Sequence, residues 1–217
     1  MWGKAITAYY SLVERAHIHA GDTVLVTAGS STTGVGAIQM AKLLGARVIT
    51  TSRSRAKEGF LRDVGADVVI ASEECDVGAE IMRITGGEGV RLAFDPITGS
   101  FLGRYAEGLG KGAQIHLVGA VGGDFQVSFP VLPVVRAEAS IVGFSIFHHH
   151  ERREQLARAK TFILDALNAG KLRPVIDRVF DFAQALEAYE YMEESAQRGK
   201  IVVRMNDDRA AVDAERC

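Results

Sequence analysis

TVLVTAGSSTTGVG, residues 23–36, joins an apolar run to a glycine-containing turn and then directly to a helical repeat. Residues 23–27 are rich in β-branched side chains and apolar almost throughout, the pattern of a strand buried on both faces. From Gly34 onward the sequence GVGAIQMAKLL (34–44) sets Ile38, Ala41 and Leu44 on one helical face. Strand, tight turn and helix form the context in which a glycine-rich turn receives a dinucleotide pyrophosphate. Gly29 permits the tight turn and Gly34 a close packing of helix on strand. Ser31 stands where the middle glycine of G-x-G-x-x-G usually lies. Its side chain is small enough to leave the backbone approachable, and its hydroxyl can donate. Ser30, Thr32 and Thr33 complete the loop, at a helix start whose N–H groups and dipole favour negative charge. A turn with no ligand would use the same glycines; the units that follow favour binding.

Strands are predicted at 47–51, 67–71, 90–95, 113–118 and 139–145, and helices at 56–64, 77–85 and 101–109. Apolar strands alternating with helices imply a parallel sheet covered on both faces. Six of them suit the doubly wound α/β (Rossmann) order, with a ligand crevice at the carboxyl ends of the strands. A helix at 5–16 precedes the first strand, and a long amphipathic helix at 152–169 ends at Gly170. A strand (175–180), a helix (182–194) and a strand (200–204) follow. The expected organisation is a joining helix (1–20), a dinucleotide-binding domain (21–150), C-terminal helices and returning strands (151–204) and a frayed tail (205–217).

The end of the second strand discriminates between cofactors. An NAD site usually has Asp or Glu there for the ribose 2′-hydroxyl. Here the chain reads TTSRSRAKE (50–58), with no carboxylate before Glu58. Ser52 as donor, Arg53 as a planar fork and Lys57 as a point charge suit a 2′-phosphate, so NADP(H) is the expected cofactor. A solvated basic loop would carry the same residues. The missing carboxylate also argues against a methyltransferase, which commonly needs an acidic residue for the ribose. No Tyr-x-x-x-Lys pair is present to serve a short-chain dehydrogenase.

The 217 residues carry a net charge of -2, with 47% hydrophobic and 24% charged residues, the balance of an ordinary globular protein. No global basic field draws the chain to nucleic acid or acidic lipid. No stretch approaches the roughly 18 apolar residues of a membrane span, and no signal peptide is visible. A cytoplasmic setting is therefore expected. Two cysteines, Cys75 and Cys217, offer neither a disulfide framework nor a thiolate zinc site. His148, His149 and His150 form the only histidine cluster; they read either as a metal or proton-donor site or as an exposed loop before a helix. His116, in a predicted buried strand, reads as a hydrogen-bonded core histidine. Trp2, Tyr9 and Tyr10 either line the cleft or pack the first helix.

The stretch from Ile6 to Ser54 resembles the cofactor half of the medium-chain dehydrogenases/reductases, nearest to their zinc-independent, quinone-oxidoreductase-like (NADPH:quinone reductase) members. GADVVI (65–70), ITGGEGVRLAFDPITG (84–99), LVGAVGG (117–123), RPVIDRVF (173–180) and GKIVV (199–203) extend the likeness, in order, over about residues 2–204. The resemblance implies pyrophosphate binding by residues 29–34 and a 2′-phosphate site at Ser52, Arg53 and Lys57. It places Val118, Gly119 and Ala120 along the nicotinamide side, Phe144 and Ser145 over the ring, and Thr7 within reach of it. Asp95 falls in a turn near the cofactor. Members begin with a β-rich GroES-like domain that forms the other wall of the substrate cleft and would contact the C-terminal strand-helix-strand. This sequence starts just before the joining helix.

Two functions follow as expectations. One is hydride transfer from NADPH to a quinone or an activated alkene or carbonyl, in which the protein orients the nicotinamide and excludes water. The other is a non-catalytic NADP(H)-binding module. Neither requires a metal, and no residue reads as a general acid or base. The apolar sixth strand, near residues 140–146, should end the sheet and pair across a two-fold axis into a homodimer.

Overall fold

The computed structural model describes residues 2–194 and 197–205, and for Trp2 and Gly3 the backbone alone. The packing of Trp2, Cys217 and the expected tail beyond Met205 lie outside the described residues. The chain divides into two compact units, Met1–Arg173 and Pro174–Cys217.

The first unit contains β1 (Thr23–Val26), β2 (Arg47–Ser52), β3 (Val68–Ala71), β4 (Val90–Asp95), β5 (Leu109–Leu117) and β6 (Ser140–Gly143). All pair parallel in the order β3-β2-β1-β4-β5-β6. This is the doubly wound order; the direction of winding reverses between β1 and β4, which opens the crevice at their carboxyl ends. Its helices are α1 (Trp2–Tyr9), α2 (Thr32–Leu43), α3 (Glu58–Asp63), α4 (Val77–Thr85), α5 (Phe101–Tyr105), α6 (Val131–Arg136), α7 (Ile146–His150) and α8 (Arg153–Asn168).

The two-residue period of the strands divides the core. Val24 and Val26 pack with Val48, Leu92 and Phe94 under α1, α2 and α8. Leu25, Ile49, Ala93 and Ile115 face the other way, onto Ile81 and Tyr105 of α4 and α5. Leu25 is fully buried, so truncation to Ala would cost about 2–5 kcal/mol. On the first face α1 crosses α2 at Gly36, where an added Cβ would lie 3.5 Å from the Lys4 carbonyl oxygen.

Three elements differ from the sequence expectation. The first helix does not run uniformly to residue 16. After Tyr9 it widens into a π-helical turn, Tyr10–Arg15, with Ala16 N–H bonded to the Ser11 carbonyl at 2.9 Å. The widened turn carries the Ser11 hydroxyl to 2.8 Å from His116 Nδ1. Gln114 Oε1, at 3.0 Å, accepts from Nε2, so the neutral ring holds its proton there. Second, β5 starts at Leu109 rather than at 113, with an irregular register opposite residues 90–92. Third, α6 lies between two expected strands, where the sequence suggested no element. The long α8, grouped above with the returning strands, packs its buried Ala159, Ile163 and Ala166 into the first unit's core.

In the second unit β7 (Ile176–Asp181) pairs parallel with β8 (Lys200–Arg204), joined through α9 (Ala185–Glu193). Arg178 lies 4.2 Å above the Tyr191 ring, and the Tyr191 hydroxyl donates to Asp177 at 2.9 Å.

Candidate functional site

The turn after β1 is built by hydrogen bonds to its neighbours. Thr27 N–H donates to the Phe94 carbonyl and Gly29 N–H to the Thr51 carbonyl, both at 3.1 Å. Ala28 adopts φ 48°, the left-handed region, and the Ser31 N–H closes back onto its carbonyl at 3.0 Å. A Cβ on Gly29 would drive into Thr50 Oγ1, whose hydroxyl donates to the Val26 carbonyl at 2.8 Å. A Cβ on Gly34 would meet the Ala28 carbonyl oxygen and come within 2.8 Å of Gly29 Cα. Both glycines are thus required by the close approach of α2 to the strand ends.

Ser31 caps α2. Its Oγ accepts from Gly34 N–H at 3.0 Å, and its carbonyl accepts from Val35 N–H at 2.8 Å. The anion receptor is therefore narrower than the sequence suggested, because the Gly34 N–H is already used. The Ser31 O–H, the Thr33 N–H in the first helical turn and the dipole of a twelve-residue helix are among the groups an anion can meet there.

The basic segment lies against this turn. Lys57 Nζ donates to Ser30 Oγ at 3.2 Å, bridging the two loops. Ser52 ends β2, half-buried. Arg53 is exposed, and no ion pair involves it among the described residues. Arg55 instead pairs with Glu58 at 3.4 Å and Glu74 at 3.2 Å. Glu58 also takes Arg62 at 2.9 Å, which holds its carboxyl below the usual range. No carboxylate occupies the end of β2 itself, where an NAD site usually carries one.

On the other side, the Val118 N–H donates to the Asp95 carbonyl at 3.0 Å and the Val121 N–H to the Pro96 carbonyl at 2.9 Å. Val118, Gly119 and Ala120 therefore lie beside the turn after β4. Phe144 N–H reaches the Leu117 carbonyl at 3.1 Å, and Ser145 follows at the start of α7. Thr7 sits nearly buried in α1.

One expected contact requires correction. The Asp95 side chain is fully buried and accepts from Thr27, Ile97, Thr98 and Tyr105, so its carboxylate does not face a ligand. The histidine run also differs from an exposed loop: it forms α7, and His149 turns inward while its neighbours stay exposed. Its ring stacks on Tyr10 at 4.5 Å and on Phe144 at 5.0 Å. Tyr10 is fully buried, and its hydroxyl has no hydrogen-bond partner among the described residues. The described residues contain no group of three His, Cys, Asp or Glu side chains placed to hold a metal. Thr27, Thr50 and Tyr105 were missed as parts of the site; only the position of the two threonines at strand ends hints at them.

The small-residue turn and the start of α2 lie beside the cations that follow β2. The sequence profile of the zinc-binding dehydrogenases matches residues 32–161. A quinone oxidoreductase from Pongo abelii is 25% identical, over 91% of this chain and 59% of its own length. A 2-haloacrylate reductase from a Burkholderia species is 28% identical, over 92% of this chain and 60% of its own. A mycobacterial protein solved in complex with NADPH superposes with a TM-score of 0.85 at 28% identity, over 93% of this chain and 63% of that one. Polyketide synthase subunits also match, and the chain spans only 9% of a Mycobacterium tuberculosis example. It covers about three-fifths of the shorter relatives. Profile, fold and collinear motifs agree: the chain belongs to the zinc-binding dehydrogenase family of the medium-chain dehydrogenases/reductases and corresponds to its C-terminal, nucleotide-binding half.

Proposed function

We propose that this chain holds NADP(H) and, within its full-length context, serves hydride transfer to a quinone or to an alkene or carbonyl activated by conjugation. One observation carries the cofactor choice. The end of β2 offers Ser52, Arg53 and a Lys57–Ser30 bridge where an NAD site would place a carboxylate. The NADPH-complexed relative and the quinone and haloacrylate reductases support the reading.

When bound, the nicotinamide supplies the hydride. The chain's own residues bind and orient. The residues 29–34 take the pyrophosphate on Ser31 O–H and the helix start, and Arg53 and Lys57 take the 2′-phosphate. Val118, Gly119 and Ala120 flank the nicotinamide, Phe144 and Ser145 close over it, and Thr7 lies at the same end. An upstream domain, as in the longer relatives, supplies the other wall of the cleft. Among the described residues no cluster is placed to hold zinc, and the scheme routes no step through a metal. Two chains pair through β6. A non-catalytic NADP(H)-binding module is the second reading. It is favoured by the absence of a general acid or base among the described crevice residues, since the one carboxylate there, Asp95, is sealed within the fold.

The test is NADPH oxidation with a simple quinone and with 2-haloacrylate, on this chain and on a version carrying an upstream family domain. Turnover in the second, dependent on the acceptor, supports the enzyme; tight NADPH binding without turnover in either supports the module.

A further inference from the structure

The C-terminal end of β4 holds a fully buried carboxylate that gathers donors from three parts of the chain. Asp95 Oδ1 accepts from Thr27 Oγ1 at 2.6 Å, Ile97 N–H at 2.9 Å and Thr98 N–H at 3.1 Å. Oδ2 accepts from the Tyr105 hydroxyl at 2.8 Å. Burial and the adjoining carboxylate push the Tyr105 phenol well above its usual range, so it stays a donor. The acceptor capacity of Asp95 is spent inside the fold, and none faces the crevice.

These donors straddle the crevice. Thr27 directly precedes Ala28 and Gly29, the start of the glycine-rich turn. Ile97 and Thr98 belong to a turn with Thr98 and Gly99 both at positive φ, 59° and 60°. That turn receives Val121 N–H on the Pro96 carbonyl at 2.9 Å and Gly122 N–H on the Ile97 carbonyl at 3.4 Å. It is latched further by Asp124, whose Oδ2 accepts from Ser100 N–H at 3.0 Å. A chain of hydrogen bonds thus runs from the turn after β1, through one carboxylate, to the loop beside Val118, Gly119 and Ala120.

We propose that Asp95 is a positioning residue for the cofactor: it fixes the span between the turn that takes the pyrophosphate and the loop that flanks the nicotinamide, with Thr27 and Tyr105 as its anchors. The proposal rests on the NADP(H) reading above. Sealed, fully satisfied carboxylates also stabilise folds, but that role alone would not require one at the point where β1 and β4 diverge. A displacement of about 1 Å between cofactor and acceptor is enough to cost on the order of a hundredfold in rate. A rigid tie across the crevice prevents such a drift.

The experiment uses the full chain and three variants. Thr27→Val and Tyr105→Phe each remove one donor with little change of shape. Asp95→Asn keeps the oxygen that serves Thr27, Ile97 and Thr98, and lets the Tyr105 hydroxyl accept from the new amide. Melting curves and circular dichroism report folding, calorimetry gives NADPH affinity, and the fluorescence of the bound nicotinamide reports its order. In Thr27→Val and Tyr105→Phe the nicotinamide emission should fall toward that of free NADPH. Affinity should drop by no more than about tenfold, because the phosphate contacts remain. Asp95→Asn should retain most of the emission. Unchanged emission in both donor variants overturns the proposal, as does a loss of emission that only tracks a loss of folded protein. Wild-type chain that binds no NADPH overturns the cofactor reading itself, and this inference with it.

Discussion

Arg53→Ala should separate NADPH from NADH. Arg53 follows β2 on the exposed rim, unengaged by any ion pair among the described residues, while its neighbour Arg55 is held by Glu58 and Glu74. A hydrogen bond to a charged group contributes about 1.5–3 kcal/mol. Arg53 is exposed to solvent, so screening moves the value to the low end. About 1.4 kcal/mol, or about tenfold in affinity, is expected. Lys57, whose amine bridges to Ser30, should preserve part of the preference, and Arg53→Ala with Lys57→Ala together should abolish it. Calorimetric titrations with both cofactors give the comparison directly. The difference should shrink as salt approaches about 1 M, where the screening length is about 3 Å. NADH affinity should not change in either variant. Equal affinities in the parent chain, or an equal loss for both cofactors, would refute the assignment of this loop.

The remaining predictions concern assembly, pH and metal. β6 is an edge strand, and Phe144 N–H points to β5; alternation puts Val142 N–H on that side too and Ile141 N–H on the open side. Ile141→Pro should therefore break a β6-mediated dimer in sedimentation while sparing the β5 pairing, and a dimer that survives it must use another face. Burial, then the charges of Arg15 and Arg91, lower the His116 pKa from 6.5 to about 4. Between those values the unfolded chain binds a proton that the folded chain refuses. This stability is whole above about pH 6.5 and is lost as pH falls toward 4, by about 3 kcal/mol. His116→Gln should flatten that slope in urea unfolding measured across the range; an unchanged slope assigns it elsewhere, His149 included. NADPH binding should survive strong chelators, and a tightly bound zinc found by elemental analysis of untagged chain would contradict this.

Much of the frame was legible because it is local. Each of the six strands contains a short apolar run, and alternation with helices leaves few sheet orders to choose from. The glycine pair was legible for the same reason: Gly29 and Gly34 answer to steric demands within a few residues. The differences arise where distant residues decide. Nothing local marks the π-helical turn at Tyr10–Arg15, whose Ser11 meets a histidine 105 positions away. Helix α6 was hidden by Pro133 and by its valines, although a proline so near a helix start loses no intrahelical bond. Three consecutive histidines looked equivalent, and only the positions of Tyr10 and Phe144 single out His149. The sequence reads Asp95 as lying in a turn near the cofactor; its donors Thr27 and Tyr105 come from two other elements and make its side chain an internal tie.

The residues that NADPH touches test the cofactor site most directly. Backbone amide resonances followed during an NADPH titration would map this residue by residue. The largest shifts are expected at Gly29, Ser30, Ser31, Thr32, Thr33 and Gly34, at Ser52, Arg53 and Lys57, and at Val118, Gly119 and Ala120. NADH should produce the first and last groups of shifts with little change at Arg53. No saturable shifts, or shifts that leave residues 29–34 untouched, would contradict the assignment of this turn as the cofactor site.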